Sequence, residues 1–251
     1  MHEGLVDQGF WEDAWVRHLE QYLSTPPRAG LWLAARFPLA AWRVLELAGG
    51  SCRDSRYLAE QGVAAIGSDF DQKTLDYLAR RYPASPLVLQ REDASALSLA
   101  DGAVDLSMHN GFWVLFGDDA KLVQLLREQA RVTRRVLVAL VHNADNPRVV
   151  AAFARKAQAD PLYDIRFFRR GELPALSQRA RESGRRYLWN AIEPEFVAAC
   201  TGAMGGAAAV TARIAEPALG TATHSARKIS RSPSITKSFA LSSQLKVVWA
   251  W

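Results

Sequence analysis

The 251-residue chain contains only two cysteines, Cys52 and Cys200. Two cysteines are too few for a disulfide framework, and they lack the CxxC spacing of a zinc site. The chain also lacks any apolar run near the roughly 18 residues that span a bilayer. Its first residues contain no basic region followed by an apolar block, as a secretory signal would. These absences predict a reduced, cytoplasmic protein with neither a metal centre nor a membrane partner.

Acidic residues are nearly missing from one stretch, residues 201–251, which hold six Lys and Arg but a single acid. The net charge of +5 therefore lies there, since residues 1–200 hold 25 basic and 25 acidic residues. A neutral body argues against a general nucleic-acid surface, so nucleic acid is not an expected partner. An Arg-rich run at 166–186 could bind an anionic acceptor or RNA, but Glu172 and Glu182 interrupt it, which favours a solvated helix face.

From residue 44 onward, short apolar runs alternate with amphipathic segments. This alternation predicts parallel strands joined by helical, right-handed crossovers. The predicted fold class is α/β: a doubly wound, mostly parallel sheet with helices on both faces. Such sheets bind ligands outside the carboxyl ends of their strands. Strands are expected at 44–47, 63–68, 87–89, 104–108 and 136–141, and helices at 53–61, 75–82 and 122–130.

The chain divides into three predicted regions: a helical lid or cap at 1–40, the main domain at 41–200, and an atypical tail at 201–251. In the cap, residues 10–23 place aromatic side chains on one helical face. That face is expected to pack on the core; the sharper alternative is an aromatic lid over a pocket.

Beyond Asn143 the patterns weaken. Segments 147–159 and 172–182 have helical spacing, and 163–168 could be extended. The tail is rich in small residues and has no sustained period before Leu245–Trp251, which could form a last strand. It either supplies closing strands poorly, is disordered, or has an altered sequence.

The stretch around which the chain is organised runs from Arg43 to Leu58. It passes from an apolar strand through a carboxylate, Glu46, into a turn of small residues and then a helix. A second carboxylate, Asp69, ends the next strand, where it can accept hydrogen bonds from a ribose diol. The turn lacks the G-x-G-x-x-G pattern with which dehydrogenases bind a pyrophosphate. A cationic sulfonium donor suits an acidic strand end better.

The sequence resembles the class I S-adenosylmethionine-dependent methyltransferases over residues 40–145, in four motifs that keep the family's order. The glycine-rich motif appears as Glu-Leu-Ala-Gly-Gly-Ser-Cys at 46–52. Three further motifs follow at 66–71, 93–97 and 101–106. The resemblance implies S-adenosylmethionine as the cofactor and S-adenosylhomocysteine as the product.

The resemblance also implies a set of cofactor-binding residues. Glu46, Ala48, Gly49 and Gly50 would line the methionine end, and Asp69 would hold the ribose hydroxyls. The adenine would lie beside Phe70, Asp93 and Ala94, and the backbone near His109 would meet the methionine moiety. Two positions depart from the family: Ala48, acceptable if its φ is negative, and Cys52, which would need a left-handed backbone or crowd the donor.

Two histidines, His109 and His142, fall where strands 4 and 5 end, and each is a candidate general base or a hydrogen-bonded scaffold residue. An aromatic cluster at 112–116 is either an acceptor pocket or core. Asp118 and Asp119 are interpreted as a helix N-cap and its neighbour, not as a metal pair.

The sequence therefore predicts a methyltransferase acting on oxygen or nitrogen of a small-molecule acceptor. The main alternative is a non-catalytic relative that acts as a binding or scaffold protein, followed by a nucleic-acid methyltransferase and then a nicotinamide-dependent reductase. Nothing in the sequence indicates the acceptor's identity or the oligomeric state.

Overall fold

The structure is a computed structural model that describes residues 8–169, 171–180, 187–190 and 245–250. Its strands form one sheet in the order β3-β2-β1-β4-β5-β7-β6, with every neighbouring pair parallel. The predicted α/β fold is confirmed, and β1 to β5 have the 3-2-1-4-5 order of a Rossmann-like methyltransferase fold. The strands are β1 Arg43–Glu46, β2 Ala64–Asp69, β3 Val88–Arg91, β4 Val104–Asn110, β5 Thr133–Leu140, β6 Tyr187–Asn190 and β7 Leu245–Ala250.

Three helices make the crossovers between consecutive parallel strands: α3 joins β1 to β2, α4 joins β2 to β3, and α5 joins β4 to β5. Since the strand order reverses between β1 and β4, right-handed crossovers place α3 and α4 on one face and α5 on the other. The helices are α1 Gln8–Ser24, α2 Arg28–Arg36, α3 Arg53–Glu60, α4 Gln72–Arg81, α5 Asp119–Val132, α6 Pro147–Ala157 and α7 Glu172–Ala180.

The central strands are apolar because they are covered on both faces. Val44 and Leu45 of β1 and Leu106 of β4 have no exposed surface. The helix starts follow local rules: the Asp118 side chain accepts hydrogen bonds from the backbone N–H groups of Ala120 and Lys121, which confirms it as the N-cap of α5.

Segments after β5 were harder to predict. The expected last strand is confirmed as β7, whereas β6 was not foreseen. The segment expected to be extended begins with a 3-10 turn at Pro161–Tyr163 and ends with a parallel bridge between Phe168 and Asn143. Residues 191–244, which include most of the tail, lie outside the described residues, so the three-region division stays a proposal. No helix in the described part of the chain is both long and apolar enough to cross a membrane.

Candidate functional site

The turn after β1 lies at the point where the strand order reverses. The backbone N–H of Gly49 donates to the Ser68 carbonyl at 2.8 Å, and the Ser68 hydroxyl donates to the Glu46 carbonyl, also at 2.8 Å. These bonds fasten the turn to the end of β2. The two carboxylates singled out in the sequence are therefore on adjacent strands at the same edge.

The turn alternates left-handed residues: Ala48 has φ 47°, Gly50 has φ 50° and Cys52 has φ 44°. The condition under which Ala48 was acceptable, a negative φ, is not met, and Cys52 adopts the left-handed backbone that was one of its two alternatives. Each non-glycine residue in this region costs about 1–2 kcal/mol. The turn therefore keeps the geometry that glycine favours even where glycine is replaced.

The side chain of Cys52 is buried beneath the turn. A Cβ added to Gly49 would lie 2.8 Å from the Cys52 Sγ, and one added to Gly67 would lie 2.9 Å from the same atom. The residue belongs to a small apolar cluster with Leu75 and Leu78. The thiol thus fills space between the turn, β2 and α4, and burial raises its pKa well above the ordinary value.

Glu46 is buried and its carboxylate accepts the backbone N–H of Ser55 at 2.8 Å, at the start of α3. Burial, reinforced by the nearby Asp54 carboxylate, raises the pKa of Glu46 to about 8. Near neutral pH the free protein therefore holds this side chain mostly protonated. The attraction of a cation to a charged Glu46, which the sequence argument invoked, is largely absent in this state.

Asp54 ties two elements, α2 and β4, to the start of α3. It accepts the backbone N–H of Gly30 in α2 at 2.9 Å and the Asn110 side-chain amide at the end of β4 at 3.1 Å. A Cβ on Gly30 would lie 2.8 Å from the Asp54 carbonyl oxygen, so only glycine permits this approach of α2. No local sequence pattern indicates this role of Asp54.

Asp69 ends β2 and is 4% exposed. Its Oδ2 accepts the Gly50 N–H at 2.8 Å, and its Oδ1 accepts the Asp71 N–H at 3.0 Å. Burial raises the pKa of Asp69, and these N–H donors oppose that rise. A carboxylate offers about four acceptor positions, and the Phe70 N–H interacts with this one as well, so at least one position remains.

The remaining predicted cofactor residues follow β2 and β3. The Phe70 carbonyl accepts a hydrogen bond from Nε of Arg91 at 3.0 Å. Asp93 accepts both the N–H and the hydroxyl of Ser95, at 2.8 and 2.7 Å, which lowers its pKa. Ala94 is half-buried against the core. Together with His109 on β4 and the turn after β1, they lie along the carboxyl ends of the four neighbouring strands β3, β2, β1 and β4.

His109 is fully buried in β4, and neither ring nitrogen has a hydrogen-bond partner among the residues that the structure describes. Its ring lies 4.7 Å from that of Trp113 and 5.9 Å from that of Phe112. Burial lowers its pKa to about 3. In this conformation the side chain cannot touch an acceptor, so a role as base requires a rearrangement and stays a prediction.

His142 lies two residues beyond β5, within a group of rings. Its centroid is 4.7 Å from Phe153 and 5.7 Å from Phe167, and Phe153 is 5.7 Å from Tyr163. Burial lowers the pKa of His142 to about 4, so the imidazole is neutral at physiological pH. Unlike His109, it is only partly buried.

Part of the aromatic segment 112–116 is core, as one of the two interpretations from sequence had it, and part of it is not fully buried. Trp113 is 1% exposed and is part of the main core. Phe112 and Phe116 are half-buried, and their rings are 5.1 Å apart in an edge-to-face arrangement. In the described part of the chain no three His, Cys, Asp or Glu residues are grouped so that they could hold a metal ion.

The aromatic face of α1 lies over the turn. A Cβ built on Gly50 would be 2.1 Å from Cζ2 of Trp15 and 2.5 Å from its Cη2, so the indole packs directly on the Gly50 backbone. Ala14 and Leu19 are buried, whereas Trp15 and Tyr22 are half-buried. The helix thus packs on the body and covers the turn at the same time. Sequence spacing showed the aromatic face but not its target.

Comparison with known proteins adds a family. The sequence profile of a family described as a methyltransferase domain matches residues 44–135. A search of curated proteins found no match.

Solved structures share the fold at low identity. A methyltransferase from Thermotoga maritima, described as a possible histamine N-methyltransferase, is 17% identical with a TM-score of 0.53, over 68% of this chain and 79% of that one. Magnesium protoporphyrin IX methyltransferase from Synechocystis, with bound S-adenosylhomocysteine, is 13% identical with a TM-score of 0.52, over 71% and 86%. A methyltransferase from Methanosarcina mazei is 17% identical with a TM-score of 0.50, over 59% and 83%.

Proposed function

Residues 44–135 of this chain belong to the class I S-adenosylmethionine-dependent methyltransferases, and we propose that the protein methylates an oxygen or nitrogen of a small-molecule acceptor. The cofactor supplies a methyl group already activated by its sulfonium. What the chain must add is a binding site, an acceptor held in line, and the exclusion of water.

The observation that carries the proposal is the arrangement of Asp69 beside the glycine turn. The Gly50 N–H and the Asp71 N–H fix both carboxylate oxygens, at 2.8 and 3.0 Å. The acceptor capacity left over suits a ribose hydroxyl, which donates to a carboxylate oxygen. Gly50, with φ 50° and no side chain, allows a ligand to approach the backbone.

We assign the other predicted residues to the same site. Glu46 and Ala48–Gly50 form the turn beneath the methionine end, and the backbone near His109 borders it on β4. Phe70, Asp93 and Ala94 follow the next two strands, where the adenine would lie. Glu46 acts here through the turn, because its carboxyl group is bound to the Ser55 N–H.

For the acceptor, the half-buried rings around His142 provide the support. Phe153, Phe167 and Tyr163 surround it at the end of β5, next to the strand edges that form the donor site. A flat or apolar small molecule fits such a surface better than a polymer. His142 is neutral at physiological pH because burial lowers its pKa, so it is able to receive a proton if the acceptor carries one. The Thermotoga relative is described as a possible histamine N-methyltransferase and the Synechocystis relative as a magnesium protoporphyrin IX methyltransferase, and both of these acceptors are small molecules.

The test is calorimetric titration with S-adenosylmethionine and S-adenosylhomocysteine. We expect saturable binding that Asp69→Ala weakens about 30-fold or more, because each hydrogen bond to a charged group contributes about 1.5–3 kcal/mol. Asp76→Ala is the matched control, since that carboxylate lies exposed on α4 and contacts only the Gln72 side chain among the bonds described. Equal binding by wild type and Asp69→Ala, or no binding by the folded wild type, would contradict the proposed donor site.

A further inference from the structure

The position of Trp15 raises a question about the free protein. Glycine in the turn permits a ligand to use the space that a side chain would fill. At Gly50 that space already holds the Trp15 indole, whose ring carbons would be 2.1 and 2.5 Å from a Cβ. Two groups cannot share it, since atoms in van der Waals contact are about 3.5–4 Å apart.

We propose that Trp15 is a gating residue of the donor site: its indole occupies the side-chain face of Gly50 in the free protein and must leave before S-adenosylmethionine can bind. The inference rests on the proposed donor site and adds to it a residue outside the 44–135 domain. While the Trp15 ring lies on Gly50, it competes with the donor for the same space.

The contacts of α1 explain why the ring remains in place. Beside Trp15, the helix is bound to the body on both sides of the turn. His18 Nε2 lies 2.8 Å from Asp160 Oδ2, beyond β5. On the other side, the Tyr77 hydroxyl of α4 donates to the Glu20 carboxylate.

A third contact joins α1 to the helix that the turn leads into. The Arg53 guanidinium donates to the Tyr22 carbonyl at 3.2 Å and lies 5.8 Å from the centre of the Tyr22 ring. The Tyr22 ring in turn packs edge-to-face on Trp15 at 5.4 Å. The Tyr77–Glu20 pair is exposed, and the other contacts are part-buried polar pairs or ring edges, so no single one of them locks the helix.

The gate has a measurable cost. If the donor binds only the fraction of molecules with Trp15 displaced, the apparent dissociation constant exceeds the intrinsic one by the inverse of that fraction. Trp15→Ala removes the competitor, so we expect S-adenosylhomocysteine to bind about three- to tenfold more tightly. The same substitution should lower the free energy of unfolding, because it deletes a packed indole.

The experiment compares wild type, Trp15→Ala and the control Trp11→Ala by titration with S-adenosylhomocysteine. Trp11 is the neighbouring indole of α1, and the three atoms nearest a Cβ on Gly50 all belong to Trp15. Tighter binding by Trp15→Ala alone supports the gate. Unchanged or weaker binding by folded Trp15→Ala, with wild type binding normally, overturns the gate and leaves the donor site intact. No binding by wild type or either variant overturns the donor site itself.

Binding kinetics give a second measurement, which starts from the wild-type protein and adds a milder substitution. With a gate, the observed rate of S-adenosylhomocysteine binding to wild type, followed by tryptophan fluorescence, should level off at high ligand as opening becomes limiting. Trp15→Phe, whose smaller ring covers less of Gly50, should raise that plateau. A rate that rises linearly with ligand and is equal in both proteins would contradict the gate.

Discussion

Glu46 should make the protein less stable as the pH rises from about 5 to 8. Its pKa is raised from 4.5 to about 8 in the folded protein, because the side chain is buried and near Asp54. Below pH 4.5 both folded and unfolded states hold the proton. Between the two values only the folded state holds it, so the free energy of unfolding falls with rising pH. Above about 8 the loss is complete.

The size of this effect follows from the shift. Each pKa unit corresponds to 1.36 kcal/mol, so the full penalty approaches about 5 kcal/mol, an upper limit for a relaxed structure. Glu46→Gln removes the titration while keeping the shape and the oxygen that accepts the Ser55 N–H. We expect the variant to match wild type near pH 4 and to exceed its stability by several kcal/mol at pH 8.

The assay is urea unfolding of both proteins at pH 4, 6 and 8, using the difference in unfolding free energy so that other titrating groups cancel. Glu128→Gln provides a control of opposite sign, since hydrogen bonding to Arg131 lowers the pKa of Glu128. The Glu128→Gln substitution should lower the free energy of unfolding at neutral pH and have little effect on it in acid. A Glu46→Gln difference that does not change with pH would refute the reasoning.

Three further substitutions test the turn and its surroundings by urea unfolding. Gly50→Ala should destabilise by about 2–4 kcal/mol, because it combines a left-handed φ with a clash against Trp15; a neutral result would contradict the packing. Ala48→Gly should be neutral or stabilise by up to about 1 kcal/mol, since glycine relieves φ 47°, whereas a clear loss would argue against that backbone. His109→Met should cost less than about 1 kcal/mol or stabilise, because it removes a buried ring whose nitrogens have no hydrogen-bond partner within the described part of the chain; a loss of several kcal/mol would reveal a partner.

Much of the sheet follows from local pattern. The runs at β1 and β2 are apolar because both faces are covered, and the alternation with helices fixes parallel order. The N-cap at Asp118 could also be predicted from the sequence, because its side chain bonds only to residues two and three positions further on. Such signals need no knowledge of distant contacts.

The missed features depend on contacts between distant segments. The Trp15 indole meets Gly50 35 positions along the chain, and Asp54 receives the N–H of Gly30. The protonation of Glu46 depends on burial, which the motif does not encode. The positive φ of Ala48 reflects the turn as a whole, because the hydrogen bonds on either side hold it there despite its local cost.

The most direct test of the donor site is a crystal structure of the protein with S-adenosylhomocysteine. The account predicts the ribose hydroxyls within hydrogen-bonding distance of the Asp69 carboxylate, the amino-acid end above Ala48–Gly50, and the Trp15 ring displaced from Gly50. A ligand bound away from Asp69 and the turn, at full occupancy, would contradict the central claim.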